Sequence, residues 1–321
     1  MFHLTVHLCI IHNIGHGTLI SWRYILLKKF KSKLTLILLL IICSCLFWHI
    51  YKTKELQLTN ISGKILLTDP LSYKENHIDR GLVLLDPVTT EMYPIGVEAV
   101  PAYFVNPSQV LLANFVDTVE LFDIHTKESK VVYQLNKDKV GTQCGEIGCI
   151  DKTHFSMVVN NKLILVDIDN NVEKILAEDV GNDKHSWEKN NMTVYYSSTS
   201  NGECDQICSI NIESMHKEYL FEGYSPKISN DGNLIAYLTE VGNGKKLIIK
   251  ELHGDKQWEY NAPIWDFCFD PSGKYIASVE WWRGIGYFQG YMLKIVDYKT
   301  NKTKIIVEKY SNGRCFSIDW K

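Results

Sequence analysis

The chain lacks a basic stripe. Its 34 Lys and Arg are outnumbered by 37 Asp and Glu, and they are scattered, for a net charge of −3. That excludes the concentrated positive surface expected of a nucleic-acid binder. A Gly-x-Ser-x-Gly nucleophile elbow is absent. Cys204-x3-Cys208 has no second cysteine pair nearby to complete a zinc site, so no metal or other cofactor is expected. Long apolar runs are scarce too. The one that exists, Leu34–Tyr51, holds eighteen residues without Asp, Glu, Lys or Arg. No small-x-small cleavage site follows it, so it reads as a retained anchor rather than a removed leader. Arg23, Lys28, Lys29, Lys31 and Lys33 precede it. The positive-inside rule then leaves residues 1–33 in the cytoplasm, residues 34–51 in the bilayer, 52–61 as a linker, and 62–321 outside, in the periplasm or the extracellular space.

What the chain has in quantity is a repeat. Ile228-Ser229-Asn230-Asp231-Gly232-Asn233-Leu234-Ile235-Ala236 is echoed by Phe269-Asp270-Pro271-Ser272-Gly273-Lys274-Tyr275-Ile276-Ala277. Looser copies start at Val105, Ile150 and Trp187. Each is a short apolar strand, a turn rich in Asn, Asp, Gly or Pro, and a second strand. A second phrase alternates with the first: an apolar strand closing on Asp86, Asp123, Asp167, Asn211, Glu251 or Asp297, at spacings of 37, 44, 44, 40 and 46 residues. The sixth copy of the first phrase is cut in two. Phe316-Ser317-Ile318-Asp319 supplies its opening and Ser62-Gly63-Lys64-Ile65-Leu66-Leu67 its end.

Units of about 40 residues with four strands each read as blades. The expected fold is all-β, a six-bladed β-propeller preceded by one transmembrane helix. The split copy predicts closure of the ring, with a strand over residues 314–320 joining blade one beside Lys64–Thr68. An open ring would leave two bare sheet edges. The Asp-Gly and Pro-Ser-Gly phrases followed by Ile-Ala resemble the TolB-like, WD40-like propeller repeat over residues 62–321. In that family the innermost strand of the first blade often comes from the C-terminus. Membrane-anchored propeller peptidases share the order of anchor then blades, but the catalytic domain that would follow them is not found.

Two connections between second and third strands are long, and they belong to blades one and six, neighbours across the closure. Asp69–Gly81 carries Tyr73, His77 and Arg80; Glu280–Tyr291 carries Trp281, Trp282, Arg283, Tyr287, Phe288 and Tyr291. Trp, Tyr and Arg dominate binding hot spots, so these residues are the candidate docking face for a protein partner. Strand alternation would bury about half of the rings instead. A glycan could use the same aromatics. The enzymatic alternative is a channel-site hydrolase or lyase with a divalent ion, drawing on Glu146, Asp151, Glu188 or Asp266. Six cysteines fall in the repeat region, an even count that suits an oxidising compartment. Cys144 with Cys149, and Cys204 with Cys208, are candidate local disulfides.

Overall fold

The computed structural model describes residues 61–321 apart from 75–76, 99–100, 114–117, 135–143, 200–204, 243, 284–288 and 311–316, together with Ile41, Ser44, Leu56 and Leu58. The expected anchor therefore lies outside the described residues but for Ile41 and Ser44. Among the described residues no helix is long and apolar enough to cross a membrane.

Among the described residues, twenty-four strands are arranged as six four-stranded antiparallel sheets. The chain opens with β1 (Ile65–Lys74), β2 (His77–Leu85) and β3 (Met92–Glu98). The second sheet is β4 (Ala102–Asn106), β5 (Gln109–Ala113), β6 (Thr118–Asp123) and β7 (Ser129–Gln134). The third is β8 (Cys144–Cys149), β9 (His154–Val159), β10 (Lys162–Asp167) and β11 (Val172–Ala177). The fourth is β12 (Val180–Glu188), β13 (Thr193–Ser198), β14 (Gln206–Asn211) and β15 (Lys217–Glu222). The fifth is β16 (Tyr224–Ile228), β17 (Leu234–Val241), β18 (Gly244–Glu251) and β19 (Gln257–Asn261). The sixth is β20 (Ile264–Phe269), β21 (Ile276–Arg283), β22 (Gln289–Asp297) and β23 (Lys302–Tyr310). The last strand, β24 (Ile318–Trp320), completes the first sheet in the order β24-β1-β2-β3.

This is the six-bladed propeller that the repeats predict, closed as expected. Ile65, Leu66 and Leu67 pair with Trp320, Asp319 and Ile318. The split phrase rebuilds its turn from two distant pieces. Lys64 N–H donates to Lys321 O (2.5 Å) and Lys321 N–H to Lys64 O (3.0 Å), where the intact copies bond Ser229 N to Leu234 O and Asp270 N to Tyr275 O. Gly63, at φ +88°, repeats the left-handed geometry of Gly232 (+75°) and Gly273 (+70°). Trp320 Nε1–H donates to Ser62 O across the seam (3.0 Å).

The second phrase also has a physical cause. Its closing side chain accepts N–H groups of the next turn: Asp86 from Val88 and Thr89, Asp123 from His125 and Thr126, Asn211 from Glu213 and Ser214, and Asp297 from Lys299 and Thr300. Four residues beyond each cap the backbone turns left-handed, at Thr90, Lys127, Met215 and Asn301, and Asn171 does the same after Asp167. Glu251, one methylene longer, makes no such cap among the described residues.

Among the described residues the buried apolar side chains form six clusters rather than one core. Period-two alternation divides each apolar strand between two blade interfaces. Ile65 and Leu67 pack against blade 6, whereas Leu66 between them packs against blade 2. Ile235 and Tyr237 face blade 4, whereas Ala236 and Leu238 face blade 6. This is why the strands read as continuous apolar runs. Part of the expected linker belongs to the ring as well. Leu56, Leu58 and Ile61 pack on the cluster between blades 6 and 1, and Leu56 N–H donates to Thr303 O (3.2 Å).

Candidate functional site

The two long connections prove to be extended hairpins rather than open loops. In blade 1 the β1–β2 ladder continues through Ser72–Asp79, Tyr73–Ile78 and Lys74–His77. In blade 6 the β21–β22 ladder continues through Trp281–Tyr291, Trp282–Gly290 and Arg283–Gln289. Both join a second strand to a third, so they rise on the same side of neighbouring blades. Tyr73, His77 and Arg80 lie on the first hairpin, and Trp281, Trp282 and Arg283 on the second. Tyr287 and Phe288 lie outside the described residues.

Trp281 and Tyr291 stand directly opposite each other in the ladder and so share one face of the sheet. Tyr291 is fully buried in the cluster between blades 6 and 1, which removes it from the docking set, while Trp281 is half-buried. Glu280 anchors the hairpin's base. Its buried carboxylate accepts Tyr260 OH (2.7 Å) and Ser278 Oγ–H (3.1 Å) and pairs with Lys294 (2.5 Å).

The other candidate is the channel, lined by β4, β8, β12, β16, β20 and β24. An inner strand is a sheet edge whose free N–H groups need acceptors. Here the neighbouring blade supplies them. Asp266 accepts Ile318 N–H (3.0 Å), Asp319 accepts Phe104 N–H (2.9 Å), and Ser186 Oγ accepts Ile228 N–H (2.9 Å). Asp266 also accepts Phe267 N–H (2.7 Å) and pairs with Lys184. Glu146 accepts the Tyr103 hydroxyl and sits 3.9 Å from Lys184 Nζ. Burial, then the charge of Glu146, holds the Tyr103 phenol well above its usual range, so it stays a donor.

The four acids considered for a channel ion are therefore occupied. Glu146 and Asp266 are engaged as above. Asp151 caps its own turn, accepting N–H of Thr153 and His154 (both 2.7 Å). Glu188 accepts Tyr195 OH (2.8 Å) and Asn191 Nδ2–H. Among the described residues no group of three or more His, Cys, Asp and Glu could hold a metal ion. The donor set does not fit a divalent ion: its carboxylates already bond backbone amides, a phenol and an ammonium. The sequence reading found the acids and missed the lysine that answers them, Lys184 on β12, and the second buried lysine near it, Lys227 on β16. Both lie in irregular stretches where no alternation marks which side chain points inward.

The disulfide expectation needs correcting. Cys144 and Cys149 sit at opposite ends of β8. Five extended residues separate their Cα atoms by about 17 Å, far beyond the roughly 7 Å a disulfide allows. Cys149, Cys208 and Cys268 are free. Cys208 lies buried beside the Tyr196 hydroxyl, and its expected partner Cys204 is outside the described residues.

Blades 3 and 4 share one further polar cluster. His185 on β12 reaches over Gly148 to Ser156 on β9, Nε2 to Oγ 2.5 Å, and Trp187 Nε1–H donates to the same oxygen (2.6 Å). A Cβ at position 148 would lie 2.7 Å from the imidazole, so only glycine fits. Ser156 Oγ lies 3.3 Å from Gly148 O. Placing the imidazole proton on Nε2 lets the serine accept from both rings and donate to that carbonyl. His185 Nδ1 is buried with no hydrogen-bond partner. Burial, then the nearby Lys227 charge, depresses the His185 pKa to about 3.

No family model matches the chain, and no curated protein matches it. Solved structures do. TolB from Acinetobacter baumannii is 16% identical at a TM-score of 0.67, covering 82% of this chain and 67% of that one. A chain in a nidogen/laminin complex is 8% identical at 0.60, covering 80% and 97%. Oligogalacturonate lyase from Vibrio parahaemolyticus is 12% identical at 0.52, covering 71% of each chain. At such identities the likeness establishes the six-bladed fold.

Proposed function

We propose that this propeller is a non-enzymatic binding module that docks a protein on the paired hairpins of blades 1 and 6. Residues 34–51 tether it, with the ring outside the cytoplasm. The observation that carries this reading is the continuation of two ladders, through Lys74–His77 and Arg283–Gln289, on adjacent blades of one side. A paired backbone is already ordered before a partner arrives, which lowers the ordering cost of binding. Trp281, Trp282 and Arg283 on one hairpin, with Tyr73, His77 and Arg80 on the other, are the residue types that dominate hot spots. The nidogen/laminin complex contains a ring of the same architecture with a protein partner, which supports the reading by analogy alone. Catalysis in the channel is the rival that the lyase likeness raises. The engagement of Glu146 and Asp266 by Tyr103 and Lys184 argues against it.

The test is crosslinking in native membranes followed by affinity purification of the full chain. A crosslinked partner should appear with the wild type and disappear with Trp281→Ala/Trp282→Ala/Arg283→Ala, while unfolding of the variant stays cooperative. Equal recovery from the variant would sink the docking face. Recovery of the full chain in the alkali-soluble fraction would sink the tether.

A further inference from the structure

On the side away from the long hairpins, the C-terminal ends of the inner strands surround a cavity of about 100 Å³. Lys227 of β16 lines it, with Lys189 just beyond β12 and Lys321 just beyond β24. The one acid among its described lining residues is Asp319. That carboxylate is committed to the N–H groups of Phe104 (2.9 Å) and Trp320 (3.0 Å).

Lys227 is the unusual member. It is 9% exposed, and its Nζ lies 4.8 Å from the centroid of the Tyr103 ring. Among the described residues that ammonium has no hydrogen bond and no ion pair. The acids it would draw on are taken: Asp266 by Lys184 and two backbone amides, Glu146 by the Tyr103 hydroxyl. A ring face offsets only part of what an ammonium loses on leaving water. Lys227 is held below its usual pKa by burial and then by Lys184, and Lys189 by burial and then by Lys321. In both cases burial is the larger cause and the neighbouring ammonium the second. Cys149, also on the wall, does not supply a negative charge, because burial pushes its thiol up to about 11 and keeps it neutral.

We propose that this cavity binds a small oxyanion, a carboxylate or phosphate group, seated on Lys227 with Lys189 and Lys321 at its rim. The volume suits a group the size of a few water molecules, so the anion enters as a small ion or as the tip of a longer ligand. The site lies at the opposite end of the channel from the hairpins, so it stands or falls independently of docking there.

The test uses the full chain at constant ionic strength, titrated with inorganic phosphate or with acetate against a chloride baseline. Thermal unfolding and calorimetry are the readouts. At least one of the two anions should raise the melting temperature saturably in the wild type, and which one does so identifies the chemistry. Lys227→Met should weaken the apparent affinity at least tenfold, and Lys189→Gln several-fold. Lys162→Met, which removes an exposed lysine paired with Glu178 on blade 3, should leave it unchanged. No saturable response to either anion in the wild type would overturn the proposal. So would a response that survives Lys227→Met, because that would report general salt effects. If Lys227→Met fails to fold, Lys189→Gln decides alone, and wild-type affinity in that variant refutes the site.

Discussion

His185 makes the ring acid-sensitive, and the size of the effect follows from its surroundings. Its pKa falls from about 6.5 in the unfolded chain to about 3 in the fold. The folded state therefore binds fewer protons than the unfolded state throughout that window. Stability is intact above about pH 6.5 and is lost at roughly 1.4 kcal/mol per pH unit as pH falls toward 3. Between about pH 7.5 and 5 the loss from this one group is about 2 kcal/mol. For a ring of this size that is about 4–8 °C in melting temperature. The assay is urea unfolding of wild type and His185→Gln at both pH values. Glutamine can replace the Nε2 contact to Ser156 but cannot be protonated. Its absolute stability will be lower, so the informative quantity is the double difference. The wild type should lose about 2 kcal/mol more than the variant on acidification. Equal losses would show that the imidazole does not stay neutral in the fold, and the reading of the Ser156–Trp187 cluster would go with it.

Two further outcomes follow from the fold. Trp320 is 2% exposed and bonds Ser62 O across the seam, so Trp320→Ala should cost about 3–5 kcal/mol; a loss under about 1 kcal/mol in denaturant titration would show that the seam contributes little. Thr90 is a β-branched residue at φ +62°, where the equivalent positions of blades 3 and 6 carry Asn171 and Asn301. Thr90→Asn should raise stability by about 0.5–1 kcal/mol, and an unchanged urea midpoint would mean the turn relaxes at no cost.

The architecture was legible because the propeller writes its geometry locally. Asp86, Asp123, Asn211 and Asp297 cap the same turn in four blades, and Gly232 and Gly273 turn left-handed at one point of the phrase with Gly63 one residue along from it, so turn chemistry pointed to the blades and to the seam. The site was less legible. Asp69–Gly81 and Glu280–Tyr291, which carry Pro70, Asn76 and several glycines, read as loops, yet Ser72–Lys74 and Trp281–Arg283 have partners on the returning limb, and the ladders simply continue. The channel was legible only in part. Glu146 and Asp266 announce themselves as acids near inner strands, but whether an acid is free or engaged depends on Lys184, 38 residues from one and 82 from the other. Cys144 and Cys149 mislead for a related reason: five residues are close in a loop and far apart in a strand.

The seam sets a timetable for synthesis. Ser62 and Trp320, bonded in the finished ring, are 258 positions apart. At roughly 5–20 residues per second, translation needs on the order of 13–50 s to bring the second within reach of the first. During that interval the edge of β1 that pairs with β24 lacks its partner. A nascent chain in this state offers β1 to any passing extended peptide.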